Sequence, residues 1–534
     1  LTDQAPTKAD YWESGFAIDD LDLDFLNGLL LDQETPLTSA EMTRALIDAR
    51  VRRETDAQRE REAGATPYMP KETYAVGQRI AFSMPRAGLG TVAEVRPGRN
   101  PELGDFDVIA VDFGDGDAPK QFVARMANHA LNVRTYQAGD AEIAPPEELY
   151  TRYGQGIAAK LEQRLQESGD LVRLAGRWFP RPLLATINEG HLNLAEAVLD
   201  MASGGPLPTE ALLKEVGLPE SVNSQLQVFS MNYALQRDSR FDEVGPAGQV
   251  LWYLKRLEPA EVQATPGRLA APGTLTEVPI SLPDDAMGEA LRAVQREIED
   301  EWAYPEVYAE EVEEVLVTVS FPHRRCGTLP LTPRLAGLFP TATVTDRIRF
   351  TLVDGDTGRR FPGWVVRPGR YVSGLEAWYA GLEFPVGGQL VVRRGPTLGE
   401  VVVQAKKRRP VREWLRTAMA SPDGRLAFSM QKKQVSIEFD ELTVIAVDNP
   451  AAVDEVWVKS NGLSLERLTA DVFRELAKLN PQSAVHAKSL YAGINVARRC
   501  PPRPLFAELM RHAYFTHVGD AYWRFDPANW TETP

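Results

Sequence analysis

The residues best suited to chemistry in this sequence form one basic run and one short polar cluster. Lys406, Lys407, Arg408 and Arg409 stand side by side in KKRRPVREW. That is the densest positive run of the chain, and a local group of cations is what displaces counter-ions from a phosphate backbone. The same block holds four further arginine pairs: Arg324 with Arg325 in PHRRC, Arg359 with Arg360 after DGDTG, Arg367 with Arg370 in RPGR, and Arg393 with Arg394 in VVRRG. The polar cluster is His323 with Cys326, at HxxC spacing. A structural zinc site needs four close ligands, and Cys500 and the other histidines are remote in sequence, so no metal site is expected. A Cys–His nucleophile pair is the other chemistry this spacing allows. The chain has no phosphate-binding loop, no GxGxxG after a strand, no GxSxG and no HExxH, so no catalytic residue and no cofactor are assigned.

Charge places these residues in context. The 534 residues carry a net charge of −16, unevenly distributed. Residues 1–65 sum to −8 and residues 66–314 to −17, whereas residues 315–440 sum to +10 and residues 441–534 to −1. One basic block inside an acidic molecule is the natural nucleic-acid face, because positive charge neutralises phosphate best where it is concentrated. The acidic stretch around Asp238, Asp242 and Glu243 suits a protein partner better than phosphate. Two cysteines make no disulfide framework and fit a reducing compartment. No apolar run reaches the length of a membrane span and the N-terminal segment lacks signal-peptide form, so a cytoplasmic protein without membrane contact is expected.

The elements that must position these residues are readable from periodicity. Residues 1–20 read as loose, and two short helices follow about Glu34-Thr35-Pro36, then a charge-rich helix or linker to Ala63. Short alternating strands from Tyr74 to Val123 suggest a small SH3-like barrel. Leu149 to Ser168 is an amphipathic helix. Leu194 to Leu254 then reads as three helices and a β-hairpin, with Gly204-Gly205 stopping the first helix and Thr209 expected to cap the free backbone N–H groups of the second: a winged helix. Pro/Gly/Ala-rich residues 259–285 form a linker, and a helix runs from Met287 to Trp302. The basic block is strand-rich, with a loop holding His323 to Cys326 and a hairpin turning at Asp354 to Gly358. Leu468 to Phe525 repeats the pattern of the first winged helix. Phe241, Val244 and Gly245 match Phe515, Val518 and Gly519 in spacing, and a Trp follows each time (Trp252, Trp523). Those aromatic and valine positions are expected to be core of the wings.

Three resemblances follow from these residues. On Gly205-Pro206-Leu207, Leu235 with Asp238, Arg240-Phe241, Val244-Gly245 and Trp252, and on Phe515, Val518-Gly519-Asp520 and Trp523, both copies resemble the HARE-HTH winged helix of the bacterial RNA polymerase delta subunit, chromatin regulators and restriction endonucleases. The resemblance implies a DNA- or transcription-linked role. The apolar LPL…LFP run, Gly363-Trp364, Gly374-Leu375 with Trp378, and Val386-Gly387-Gly388 resemble the pseudobarrel DNA-binding domain of plant transcription factors and restriction-enzyme effector domains. By that resemblance, two arms that grip the major groove would be Phe321–Gly327 and Arg367–Tyr371. VGQRIAF with GLGTVAEVR resembles Tudor-like barrels, including the polymerase-binding module of CarD-type proteins.

The expectation is therefore a multidomain α+β bacterial protein of six segments: acidic helices at 1–65, an SH3/Tudor-like barrel at 66–135, a winged helix at 149–258, a linker at 259–285, a basic β-rich pseudobarrel at 286–450 and a second winged helix at 451–534. Its function is expected to be non-enzymatic DNA binding linked to transcription, with the arginines and lysines named above on DNA and the acidic winged helix on protein. The alternative is an interaction scaffold docking on RNA polymerase or another complex without touching DNA, and the third reading is an unrecognised hydrolase or nuclease.

Overall fold

In the computed structural model, residues 11–62, 65–82, 89–99, 105–114, 118–129, 132, 144–174, 176–219, 222–270, 273, 282–303, 312–342, 345–397 and 399–530 are described. The chain is a mixed α and β molecule with several separate sheets. It divides into two compact units, Leu1–Thr186 with Pro219–Ser230, and Ile187–Leu218 with Met231–Pro534.

In the first unit, Asp19 caps the helix Asp20–Gln33 by accepting the Asp22 N–H at 2.9 Å, while the Asp22 carboxylate accepts the Asp19 N–H in return. Arg50, on the helix Ser39–Glu62, grips the fully buried Asp22 through Nε at 2.9 Å. Of the segment read as loose, residues 1–10 lie outside the described residues, and the part from Tyr11 is packed. Tyr11, Trp12 and Phe16 are buried against Leu46, Ile47 and Ile157, because three large rings in six residues carry more apolar area than a solvated tail can leave exposed. Residues 66–124 form a five-stranded sheet whose last four strands meander antiparallel. The Arg125 and Met126 N–H groups tie the exit of its last strand to Glu72 and Pro70. Ile80, Val92, Ile109 and Val111 fill its interior.

The second unit holds both winged helices. In the first, the helices Glu189–Met201 and Thr209–Val216 and the C-terminal half of Ser224–Arg237 pack Ala195, Leu199, Leu212, Met231 and Leu235 around Trp252. Its wing places Trp252 between Leu207 and Glu243. In the second, the helices Leu465–Ala477, Ala487–Ala497 and Pro502–Arg511 precede a wing that places Trp523 between Val485 and His517. The two three-stranded sheets thus share strand order and register about the tryptophan. At Gly205, φ is +114° and a Cβ would stand 2.6 Å from the Trp252 carbonyl oxygen, so only glycine fits there.

Between the winged helices lies a seven-stranded half-barrel. Its strand order is Glu314–Thr318, Gln389–Arg394, Glu400–Ala405, Arg347–Asp354, Arg360–Val366, Tyr371–Ser373, Thr328–Pro330. All neighbours are antiparallel except Arg347–Asp354 with Glu400–Ala405. Alternate residues of these strands (Ile348, Phe350, Leu352; Leu390, Val392; Val401, Val403) line one core. Three expectations change here. His323 to Cys326 is a short helix, Phe321–Cys326, rather than a loop, and Pro322 starts it where its missing N–H costs nothing. The helix expected to reach Trp302 ends at Glu297, so Glu299, Asp300 and Glu301 turn into the interior. The start of the expected linker is packed: Val262 and Leu269 are buried beside Trp364, Val366 and Tyr371, and the Tyr371 hydroxyl donates to the Glu261 carbonyl at 2.5 Å.

Candidate nucleic-acid interface

The basic run of residues 406–409 opens a long two-stranded ribbon, Lys407–Ala420 paired antiparallel with Leu426–Ile437. Its register shifts between Lys407/Ile437 and Val411/Val435, and Pro410, which has no ladder donor, lies in that irregular stretch. The turn closes at Ser421 to Arg425, with Gly424 at φ +78° donating to the Ser421 carbonyl at 2.8 Å. The turn half is anchored, since Ala418, Leu426 and Phe428 join the core of the second winged helix. On the opposite face Leu415 and Val435 pack with Val444.

In the open half, the face that carries Ala418 and Phe428 further along is turned to solvent. Arg412 stands opposite Gln434, Trp414 opposite Lys432, and Arg416 opposite Met430. Successive same-face positions are two residues apart, so these six share one side of the ribbon. Trp414 is 60% exposed, and Lys432 Nζ lies 5.5 Å from its ring centroid. Arg412, Lys432 and the nearby Arg409 are exposed, and no carboxylate pairs with them among the described residues. Lys433, on the other face, pairs with Asp448 at 2.6 Å.

The remaining basic residues singled out by sequence are mostly engaged within the second unit. Arg324 is buried enough to lower its pKa; it donates to the Phe384 carbonyl at 2.5 Å and lies over the Tyr379 ring. Arg325 pairs with Asp454 at 3.0 Å, Arg360 with Glu400 at 2.7 Å, Lys406 with Glu438 at 3.3 Å, Lys407 with Asp356 at 2.8 Å and Arg408 with Glu413 at 3.0 Å. Arg367 and Arg394 donate to the carbonyls of Thr345 and Gly337. Arg370 lies over Trp302, and Arg359 over Phe361. Arg393 is exposed with no ionic partner among the described residues. Neither proposed arm projects as a free loop: Phe321, Pro322 and His323 are buried, and Tyr371 is fully buried. Sequence reading missed Arg412, Trp414 and Lys432. The alternation of charged and aromatic residues in VREWLR was the signal available.

The acidic wing has its partner inside the chain. Asp242 pairs with Arg347 of the half-barrel at 2.7 Å, the Arg349 N–H donates to the Val244 carbonyl at 2.8 Å, and Ala247 donates to Thr341. Tyr253 meets Trp364 edge to face at 5.2 Å. Asp238 pairs with Arg240 of its own turn at 2.6 Å. Burial pushes the Glu243 carboxyl up to about 7. The second copy differs at the matching positions. Val244 is fully buried and Leu251 packs beside it against Trp364, Val366 and Tyr371 of the half-barrel strands, whereas Val518 and Tyr522 are exposed. The expectation that Val518 is core is thus corrected, because no half-barrel covers this copy's wing tip.

In the HxxC cluster His323 is buried and Cys326 half-buried. His323 Nδ1 lies 2.9 Å from Thr328 Oγ1 and Nε2 lies 2.9 Å from Glu301 Oε2, so both ring nitrogens are occupied. Arg499 reaches Asp300 at 2.8 Å and Glu301 at 2.9 Å, and the Tyr491 hydroxyl donates to Asp300 at 2.6 Å. Burial alone would raise the Glu301 pKa, but Arg499 and then His323 outweigh it and hold it at about 2. Burial pushes the Cys326 thiol up to about 11, far from a thiolate nucleophile at neutral pH. Among the described residues no group of three His, Cys, Asp or Glu side chains could hold a metal ion, and no helix is long and apolar enough to cross a membrane. Compared with protein-family models, curated proteins and solved structures, the chain matches none.

Proposed function

We propose that this chain is a non-enzymatic DNA-binding protein linked to transcription, with the basic ribbon as its DNA contact. The observation that supports this reading best is the outer ribbon face, where Arg412 and Lys432 flank an exposed Trp414 and Arg409 lies nearby, all without carboxylate partners among the described residues. Arg359 and Arg393 of the half-barrel would add to the phosphate contacts. The test is fluorescence anisotropy of labelled DNA against salt. Each cation on phosphate contributes roughly 0.7–0.9 to the slope of log K against log[salt]. Replacing Arg409, Arg412 and Lys432 together by Gln is expected to lower the slope by about 2 to 3. Absence of binding at low salt, or a slope unchanged by the triple substitution, overturns the reading.

A second reading, docking on RNA polymerase or another protein complex, is favoured by one observation. Val518 and Tyr522 are exposed where the first copy buries its counterparts against the half-barrel. Val518→Asp would then abolish a protein interaction and leave DNA affinity unchanged; loss of DNA affinity alone would remove this second reading.

A further inference from the structure

Resting on the reading of the ribbon as the DNA contact, we infer that its ligand is single-stranded rather than duplex DNA, held by a base stacked on Trp414. In a duplex the faces of the bases are covered by their neighbours, and an indole standing out from the middle of a ribbon meets only base edges. In a single strand each base has a free π-face, and stacking on an aromatic side chain is indifferent to sequence. Trp414 is 60% exposed, and the Lys432 ammonium lies 5.5 Å from its ring, a cation placed to meet the phosphate next to a stacked base. Arg412, two residues away on the same face, is roughly 7 Å further along the strand, and Gln434 opposite it offers an amide to a base edge.

Charge favours the same ligand. Three cations without a carboxylate partner among the described residues, Arg409, Arg412 and Lys432, lie along the open half of one ribbon, a track of roughly 20 Å, while the chain as a whole carries −16. A short flexible strand can follow that track. A rigid duplex, with one phosphate charge per about 1.7 Å of axis, would extend past it toward the acidic remainder of the molecule. DNA is the occupant because the contacts this face offers, the Trp414 ring to a base and the Arg412 and Lys432 cations to phosphate, require no 2′-OH. The exposed side chains of this face are Arg412, Trp414, Met430, Lys432 and Gln434, while Arg416 turns in to donate to the Glu441 carbonyl.

The test uses the full chain with a labelled mixed-sequence single strand, the same sequence as duplex, and the same sequence as RNA. The single-stranded DNA is expected to bind most tightly. Trp414→Ala is expected to weaken it by about 5- to 150-fold, the range for loss of one stacked base, and to leave duplex affinity within about twofold. Trp414→Phe is expected to restore most of the loss, and circular dichroism checks that each variant is folded. Duplex bound as tightly as the single strand, or a Trp414→Ala variant with wild-type affinity, overturns this inference while leaving DNA binding by the ribbon standing. RNA bound as tightly as the DNA strand overturns the DNA assignment. Failure to bind any of the three removes the parent reading as well.

Discussion

Replacing Arg499 by Met is expected to be the most damaging conservative-volume change in the second unit. Arg499 is 2% exposed and stands 2.8 Å from Asp300 and 2.9 Å from Glu301, both carboxylates fully buried. Its other nitrogen donates to Asn495 Oδ1 at 3.0 Å. Methionine fills much of the space but leaves Asp300 with the Tyr491 hydroxyl and the Trp302 N–H, and Glu301 with His323, and no cation between the two carboxylates. Removing one member of a buried ion pair costs about 3–5 kcal/mol, most of it the penalty of the stranded charge. With a urea slope of about 1–3 kcal/mol per molar, the transition that reports this unit should move down by at least about 1 M. The pH dependence gives an independent sign. In the wild type Glu301 titrates at about 2, below its ordinary 4.5, so it contributes stability above 4.5 that is lost as pH falls toward 2. Without Arg499, burial dominates and raises that pKa, so the deficit of the variant should shrink between pH 7 and pH 5. Adding Asp300→Asn and Glu301→Gln should recover part of the loss at pH 7. Urea unfolding, with hydrogen exchange over residues 297–303 and 491–500, measures all of this. A loss below about 1 kcal/mol, or a deficit that grows toward pH 5, refutes the reasoning.

Two further outcomes follow from the first wing. Burial pushes Glu243 up to about 7, and burial together with the neighbouring Asp242 pushes Glu258 up to about 8. Both carboxyls bind protons in the folded state that the unfolded chain releases near 4.5, so the stability of this wing should fall as pH rises from 4.5 to about 8. Proteolysis of the wing at pH 5.5 and pH 8.5 measures that, and Glu243→Gln with Glu258→Gln should flatten the dependence. Gly205→Ala forces a Cβ to 2.6 Å from the Trp252 carbonyl at φ +114°, and should cost more than about 1 kcal/mol by thermal unfolding.

The sequence by itself determined the local elements. The winged-helix pattern was legible because helix starts, the Gly204-Gly205 stop and the spacing of Phe241 to Trp252 are short-range, and the second copy repeats them in the same register. The turn at Asp354 to Gly358 was legible for the same reason. What sequence could not settle was which charges are free. The basic block looked uniform, yet Arg347 finds Asp242, Arg325 finds Asp454 and Arg499 finds Asp300, each pair more than a hundred positions apart. Ion pairing is chosen by tertiary proximity, and one-dimensional charge counts carry no information about it. Only the fold showed which cations of the +10 block lack a carboxylate among the described residues, Arg409, Arg412 and Lys432 near Trp414 and Arg393 on the half-barrel among them. It also buried Val244 beneath a half-barrel while leaving Val518, its twin in sequence, in solvent.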